Sequence, residues 1–164
     1  MIHAKKLARK VRFLRWLLTI YPPYFGAGIK VRYISPDFRK VQVSMGLKWY
    51  NRNYVRTQFG GSLYSMTDPF YMLMLMENLG SDYIVWDKAA HIEFVSPGKG
   101  AVHAEFKIDQ ALLDDIREHT ANGEKYLPKY RAIVHDDQGT LVARVEKTLY
   151  IRRKPAAQLA AATQ

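Results

Sequence analysis

The chain has 164 residues, which favours one domain with a sizeable core, and its 48% of apolar residues excludes wholesale disorder. It contains no cysteine, which excludes disulfides, thiolate catalysis and cysteine-ligated metal, and we expect no metal site. The net charge is +10, but six of the cations lie in residues 1–16, where there is no acid, so the other 148 residues carry only +4. This distribution disfavours nucleic-acid binding by the body of the protein.

The N-terminal residues 3–20 predict a basic amphipathic helix. Apolar residues recur there at helical spacing, with cations between them, at Leu7, Val11, Leu14, Leu17 and Leu18. Pro22 and Pro23 are expected to end the helix, because neither can donate a backbone hydrogen bond. Packing of the apolar stripe on the domain's own sheet is the favoured interpretation, and contact of residues 1–20 with a membrane surface is the alternative.

No segment is predicted to span a membrane, because the most apolar run, residues 70–76, is too short to cross a bilayer. A signal peptide is not expected either. Only the short apolar run 16–20 follows the basic start, and prolines stand where small residues would mark a cleavage site. We therefore expect a cytoplasmic protein.

Strands are predicted where apolar and polar residues alternate. The alternating stretches are residues 28–35, 39–47, 83–96, 100–108, 125–135 and 140–152. Turn residues between successive stretches predict three antiparallel hairpins, which pair the first stretch with the second, the third with the fourth and the fifth with the sixth.

The longer elements complete an α+β design. Residues 60–79 predict a long apolar helix, and residues 109–119 predict a short helix with Asp109 as its N-cap. A sheet of about six antiparallel strands around one central helix is therefore expected. We predict a single domain over residues 1–154, with the basic helix within residues 1–21, and a disordered tail over residues 155–164.

The most informative stretch for function runs from Asn53 into Gly60-Gly61 and on to Asp68. A glycine pair at a helix start leaves backbone N–H groups open to an incoming oxygen. A carboxylate within an apolar helix is costly to bury unless another group satisfies it or a reaction uses it. Pro69 follows this acid, so it either kinks the helix or makes Asp68 the N-cap of a later helix.

These residues and the predicted layout resemble a known family. A helix that follows a Gly-Gly loop, wrapped by a curved antiparallel sheet, resembles the hot-dog fold. The spacing of Asn53, Phe59-Gly60-Gly61 and Asp68 resembles that of the phenylacetate-type (PaaI-like) acyl-CoA thioesterases, in a bacterial branch with Phe-Gly-Gly in place of His-Gly-Gly. The resemblance covers residues 20–153 and favours a kinked helix at Pro69.

The resemblance implies an enzyme that hydrolyses the thioester of an acyl-CoA, with coenzyme A as part of the substrate and no other cofactor, and the aromatic residues near the motif indicate a hydrophobic acyl group. The backbone N–H of Gly60 would stabilise the oxyanion. Asp68 would act as general base or as nucleophile, and Asn53 would hold the attacking water or the carbonyl. Phe59 replaces the family's histidine, which removes a polar group beside the site.

The distance between the two ends of the motif predicts a shared site. Eight residues of continuous helix advance about 12 Å, so Asp68 is not expected to reach a carbonyl held at its own Gly60. The resemblance likewise implies that Asn53 and Gly60 come from one chain and Asp68 from the other. We therefore expect a homodimer with two sites at the interface, or a dimer of such dimers.

Five further residues are predicted to bind the substrate: Phe59, Gly61, Arg56, Lys88 and Lys99. The first two belong to the motif itself. The three cations lie in or near loops that flank the motif, and they are candidates for the phosphates of coenzyme A.

Other interpretations of the same residues stay open at this point. Asp68 can be a helix cap, Gly60-Gly61 a tight turn, and Asn53 a turn residue, with Asn51 as a nearby competitor for its role. The Phe59 substitution also permits a hot-dog module that binds acyl-CoA without catalysis. A hot-dog dehydratase would need a histidine beside an acid, and it could use His91 or His103.

Overall fold

The computed structural model describes residues 2–155. Its helices are α1 (Ile2–Ile20), α2 (Pro22–Ala27), α3 (Gly60–Ser65), α4 (Phe70–Leu79) and α5 (Gln110–His119). Its strands are β1 (Ile29–Ile34), β2 (Lys40–Met45), β3 (Tyr83–Phe94), β4 (Val102–Lys107), β5 (Lys125–Tyr126), β6 (Lys129–Asp136) and β7 (Leu141–Arg153). The predicted disordered tail lies outside the described residues, apart from Pro155.

One antiparallel sheet holds all seven strands, in the order β1-β2-β4-β6-β7-β3, with the short β5 also paired to β7. The predicted hairpins β1–β2 and β6–β7 are confirmed. The predicted hairpin between β3 and β4 is wrong, because β4 pairs with β2 and β6 in the middle of the sheet while β3 pairs with β7 at its edge. Alternation shows which face a strand buries but not which strand it pairs with.

The predicted N-terminal helix is confirmed as α1, which packs on the core through Leu7, Val11, Leu14 and Leu18. Leu17 does not belong to this stripe, since 43% of it is exposed. The two prolines do more than end α1. They occupy the first turn of α2, where a missing N–H costs nothing, and α2 ends at Gly28 with φ at 73°. None of the described helices is long and apolar enough to span a membrane.

The core fills the space between the sheet and α4. Phe70, Met74 and Leu75 of α4 are almost completely buried, and the ring of Phe70 lies 5.0 Å from the ring of Phe106 on β4. From β7, every second residue between Ala143 and Ile151 points into the core, as period-2 burial requires. The helical layer therefore covers the face of the sheet to which these β7 side chains point.

The single helix predicted over residues 60–79 is divided into α3 and α4. Pro69 lacks an N–H, and the turn before it tightens, with Thr67 N bonded to Tyr64 O and Asp68 N bonded to Ser65 O. The N-cap of α4 is Pro69, so Asp68 is not a helix cap. The break leaves the Asp68 side chain free to turn toward the sheet.

Candidate active site

A groove of about 480 Å³ opens at the N-terminal end of α3. Its wall combines the loop before α3, the start of α3 and the segment that follows β3. The lining residues are Asn53, Thr57, Gln58, Phe59, Gly60, Leu63, Phe94, Val95, Ser96, Pro97 and Gly98. None of these side chains is charged, and the aromatic rings and aliphatic groups suit an apolar ligand with a few hydrogen-bonding groups.

Each glycine of the pair lies against an aromatic ring. A Cβ placed on Gly60 would lie 2.8 Å from Cζ of Phe94, and one on Gly61 would lie 2.6 Å from Cε1 of Phe59. Close packing is therefore one reason for glycine at both positions. Within residues 2–155, neither N–H has a hydrogen-bond acceptor, because both precede the first intrahelical bonds of α3. The Gly60 N–H thus stays available at the groove, whereas Gly61, which was also predicted to bind the substrate, is not among the lining residues.

Asn53 lines the groove and also builds the loop beneath it. Its side-chain oxygen accepts from the N–H of Thr57 at 2.9 Å, and its amide donates to Thr57 Oγ1 at 2.9 Å. One lone pair of the side-chain oxygen stays open to a ligand. The competing Asn51 is 5% exposed and bonds to the backbone of Ala27, Gly46 and Lys48, so its role is structural.

The predicted substrate-binding cations do not line the groove. Arg56 is exposed at the turn after Asn53, with φ at 63°, and Lys99 is exposed directly after Gly98. Both are therefore close to the groove along the chain. Lys88 is exposed at a bulge of β3, and Phe94 lies six positions further along the strand, a distance of about 20 Å.

Asp68 lies in the break between α3 and α4 and is not among the residues that line the groove. Its Oδ1 accepts a hydrogen bond from Nζ of Lys147 at 2.8 Å. The lysine side chain is fully buried, whereas 45% of the Asp68 side chain is exposed. One carboxylate oxygen is thus held from inside the protein while the carboxylate as a whole remains reachable from outside.

Lys147 is shared with two other side chains. Its Nζ lies 3.2 Å from Oδ2 of Asp87 on β3 and 3.3 Å from the hydroxyl of Tyr64 on α3. Burial by itself would lower the pKa of Lys147, but the hydrogen bond to Asp68 and the charges of both carboxylates raise it above its ordinary value. Burial raises the pKa of Asp87, and the lysine offsets a part of that effect. The cluster therefore keeps a cation in the core.

The sequence-based predictions missed Lys147 and its partner Asp87. A signal was present, because Lys147 stands between Val145 and Leu149 at the inward register of an otherwise apolar alternation. A lysine in that register is rarely buried without a partner. Identifying the partners required the pairing of β3 with β7 and the orientation that the break at Pro69 gives to Asp68, and neither could be predicted from local patterns.

The histidines considered for a dehydratase lie elsewhere. His91 is exposed on β3, and His103 on β4 contacts Asp137 at 2.6 Å on the surface. Neither lines the groove or belongs to the Lys147 cluster. Within residues 2–155, no group of three or more His, Asp or Glu side chains is arranged to hold a metal ion.

A comparison with known protein families assigns the chain to one of them. The model of the family described as "Domain of unknown function (DUF4442)" matches residues 9–151. The chain belongs to this family. No curated protein matches the sequence.

Solved structures share the fold of this DUF4442 member at low sequence identity. A protein of unknown function from Pseudomonas aeruginosa, described as a probable thioesterase, has a TM-score of 0.75 and 17% identity over 87% of this chain and 95% of its own. A thioesterase from Haemophilus influenzae has a TM-score of 0.63 and 11% identity over 87% and 90%. A protein of unknown function from Chlorobaculum tepidum has a TM-score of 0.67 and 16% identity over 92% and 94%. The predicted hot-dog fold is confirmed.

Proposed function

We propose that this protein is a thioester hydrolase that acts on a hydrophobic acyl-CoA. The observation that carries the proposal is the apolar groove at the start of α3 on a hot-dog fold, which is lined by Asn53 and by Gly60, whose N–H has no acceptor among residues 2–155. Fold neighbours described as thioesterases support the reaction class. The aromatic walls suit an acyl chain, and the open Gly60 N–H suits a carbonyl oxygen.

The reaction divides between the two halves of the motif. The thioester carbonyl oxygen would accept from the N–H of Gly60, which is already oriented and needs no reorganisation. The Asp68 carboxylate would take a proton from water while the hydroxide adds to the carbonyl carbon. The C–S bond then breaks, and the proton goes to the coenzyme A thiolate. Direct attack by Asp68 through an acyl-enzyme is the alternative route.

Lys147 is a positioning residue in this scheme. It is fully buried, so it does not touch the substrate, but it fixes Oδ1 of Asp68 and compensates the charge of the two nearby carboxylates. A carboxylate held at one oxygen presents the other in a defined direction. Without the ammonium, Asp68 and Asp87 would repel each other, and Asp68 would lose its orientation.

The site is completed by a second copy of the chain in this proposal. Asp68 and the groove are separate within one chain, and β3 leaves one long edge of the sheet without a partner strand among residues 2–155. Such an edge is suited to pair with another copy. β3 carries Asp87 and ends in Phe94, so a dimer along this edge would bring the groove of one chain toward Asp68 of the other.

Arg56 and Lys99 are proposed to meet the phosphates of coenzyme A. Both are exposed and sit in loops whose neighbouring residues line the groove. Lys88 is proposed for the same task only across the dimer, because it is far along β3 from the groove of its own chain. Replacing Arg56 and Lys99 with Gln should raise KM and leave kcat unchanged.

The test is the release of free thiol from a panel of short, long and aromatic acyl-CoAs. The proposal predicts turnover of hydrophobic members by the wild-type protein and its loss in Asp68→Asn with fold and molecular mass unchanged. Tight binding of acyl-CoA without thiol release would instead identify a binding module. An Asp68→Asn variant with full activity would refute the role of Asp68.

A further inference from the structure

Helix α1 has a second apolar stripe that faces solvent. Its inward stripe packs on the core, but four large apolar residues at spacing i, i+3, i+4 and i+7 lie on another face. Their exposed fractions are 60% for Phe13, 57% for Trp16, 43% for Leu17 and 48% for Ile20. The rings of Phe13 and Trp16 lie 6.1 Å apart, so they form one continuous surface.

Cations flank this exposed stripe. Arg9 and Arg12 precede Phe13 and Trp16 by four residues, or about one helical turn, and Arg15 lies next to Trp16 in the sequence. All three arginines are exposed, and among the described residues none of them forms a salt bridge. No acid occurs in the sequence before Asp37. The face is therefore apolar and aromatic at its centre and positive at its margin.

From this arrangement we infer that α1 binds the surface of an anionic phospholipid bilayer. Phenylalanine, tryptophan and leucine on one face with arginines beside them are what an interfacial helix uses, since the rings enter the acyl boundary while the guanidinium groups meet lipid phosphates. The helix would lie along the membrane surface, as it is too polar to cross. The inward stripe keeps it attached to the domain, so binding would bring the whole protein to the bilayer.

The positive charge of this face favours an anionic bilayer over a second copy of the chain as its binding partner. Two α1 helices that met along this face would bring six arginines together without an acid on either helix. Like charges at a shared surface oppose association, whereas anionic headgroups attract each of them. The inference is independent of the thioesterase proposal, because no residue of α1 lines the groove.

Flotation of the full-length protein with vesicles tests the inference. One set contains phosphatidylcholine alone, and the other contains phosphatidylcholine mixed with phosphatidylglycerol. Binding is expected to the mixed vesicles only and to weaken with salt. The variant Phe13→Gln/Trp16→Gln should bind roughly 100-fold more weakly, because two large apolar side chains no longer enter the bilayer. The variant with Arg9, Arg12 and Arg15 changed to Gln should lose on the order of 100-fold as well.

Matched controls remove apolar area and charge outside α1 and leave α1 itself unchanged. Ile133→Gln removes an exposed apolar residue from β6, and a triple Gln variant of Arg117, Lys125 and Lys129 removes three exposed cations. Both should bind as the wild type does. The inference is overturned if the wild type does not float, if it binds both vesicle types equally, or if binding survives Phe13→Gln/Trp16→Gln. A fall in molecular mass in that variant would assign the face to self-association and overturn it too.

Discussion

The two halves of one sequence motif lie in different surroundings. Asn53 and Gly60 belong to an open, uncharged groove with aromatic walls. Asp68, only eight residues further along, belongs to an ion cluster built on a buried lysine. The groove offers donors and apolar area, and the cluster offers a held carboxylate. The proposed mechanism needs both regions, and because Asp68 does not line the groove of its own chain, the difference favours a site made from two chains.

The largest expected effect comes from Asp68→Asn, which removes the proposed base and keeps its shape. We expect kcat for acyl-CoA hydrolysis to fall by roughly 100- to 10,000-fold. Stability should change by less than about 1 kcal/mol, because the side chain is half exposed and Lys147 keeps Asp87 as a partner. Thiol-release kinetics and thermal unfolding measure the two effects. Asp114→Asn on α5 is the control, and equal activity losses in both variants would contradict the assignment.

Lys147→Met tests whether the Lys147 cluster only stabilises the protein or also orients the Asp68 carboxylate. The single variant should lose about 3 kcal/mol of unfolding free energy, at the low end for a buried pair, because Asp87 is left without its cation while 21% of its side chain still reaches solvent. Lys147→Met/Asp87→Asn should regain most of that stability but should keep a kcat at least roughly 10-fold below wild type, with KM unchanged.

A double-mutant cycle completes this test. If Lys147 acts through Asp68, its loss should not lower the residual activity of Asp68→Asn any further. Denaturant unfolding and steady-state kinetics on the same preparations separate the two roles. A kcat restored to the wild-type value in Lys147→Met/Asp87→Asn would mean that the cluster is structural only.

Gly60→Ala tests the role of the groove half of the motif. The new methyl group would lie within 2.8 Å of the Phe94 ring, which is half exposed and can move at a cost near the low end of about 1–3 kcal/mol. Displacement of that ring and crowding of the N–H donors should lower kcat/KM by roughly 10-fold. Gly26→Ala in α2 is the matched control, since nothing lies within 4 Å of its new methyl group. A Gly60→Ala enzyme with unchanged kcat/KM would argue against an oxyanion site here.

The smallest expected effect concerns the exposed ion network around Glu105. Its contribution to stability can be compared with that of the buried Lys147 cluster. Hydrogen bonds from Lys107, Gln42 and Lys40 lower the pKa of Glu105 to about 2. Because the folded-state pKa lies below the ordinary 4.5, this group stabilises the protein above that pH, and the contribution is lost as the pH falls from about 4.5 to 2. Glu105→Gln should lower the Tm at neutral pH by at most about 3 °C. The difference from wild type should vanish near pH 2, and a difference that persists there would contradict this origin.

Local patterns predicted much of the fold because each strand buries one face. Alternation located the strands of β1, β2, β6 and β7, and the cap at Asp109 is confirmed by its bond to Leu112 N. Alternation says nothing about strand order, so the pairing of β3 and β4 was predicted wrongly. The helix break at Pro69 was visible as a proline, but only tertiary structure shows that it turns Asp68 toward Lys147.

The two halves of the candidate site also differ in how far local sequence patterns predict them. The groove half could be predicted, because glycines, a polar loop and the following helix are contiguous in sequence. The cluster half could not, because Asp68, Asp87 and Lys147 come from three elements that meet only through the pairing of β3 with β7. The exposed stripe of α1 was hidden for a related reason, since both of its apolar faces have helical spacing and only packing shows which one is covered.

Mixing two strongly impaired variants tests the shared site most directly. Asp68→Asn retains an intact groove, and Asn53→Ala retains an intact Asp68 cluster. Co-expressed chains that assort at random give heterodimers in which one of the two sites has both halves intact. A site shared between chains predicts thiol release at about a quarter of the wild-type rate from the mixture, although each variant alone keeps only a small fraction of that rate. Activity that stays at the level of the separate variants would contradict a site shared between chains.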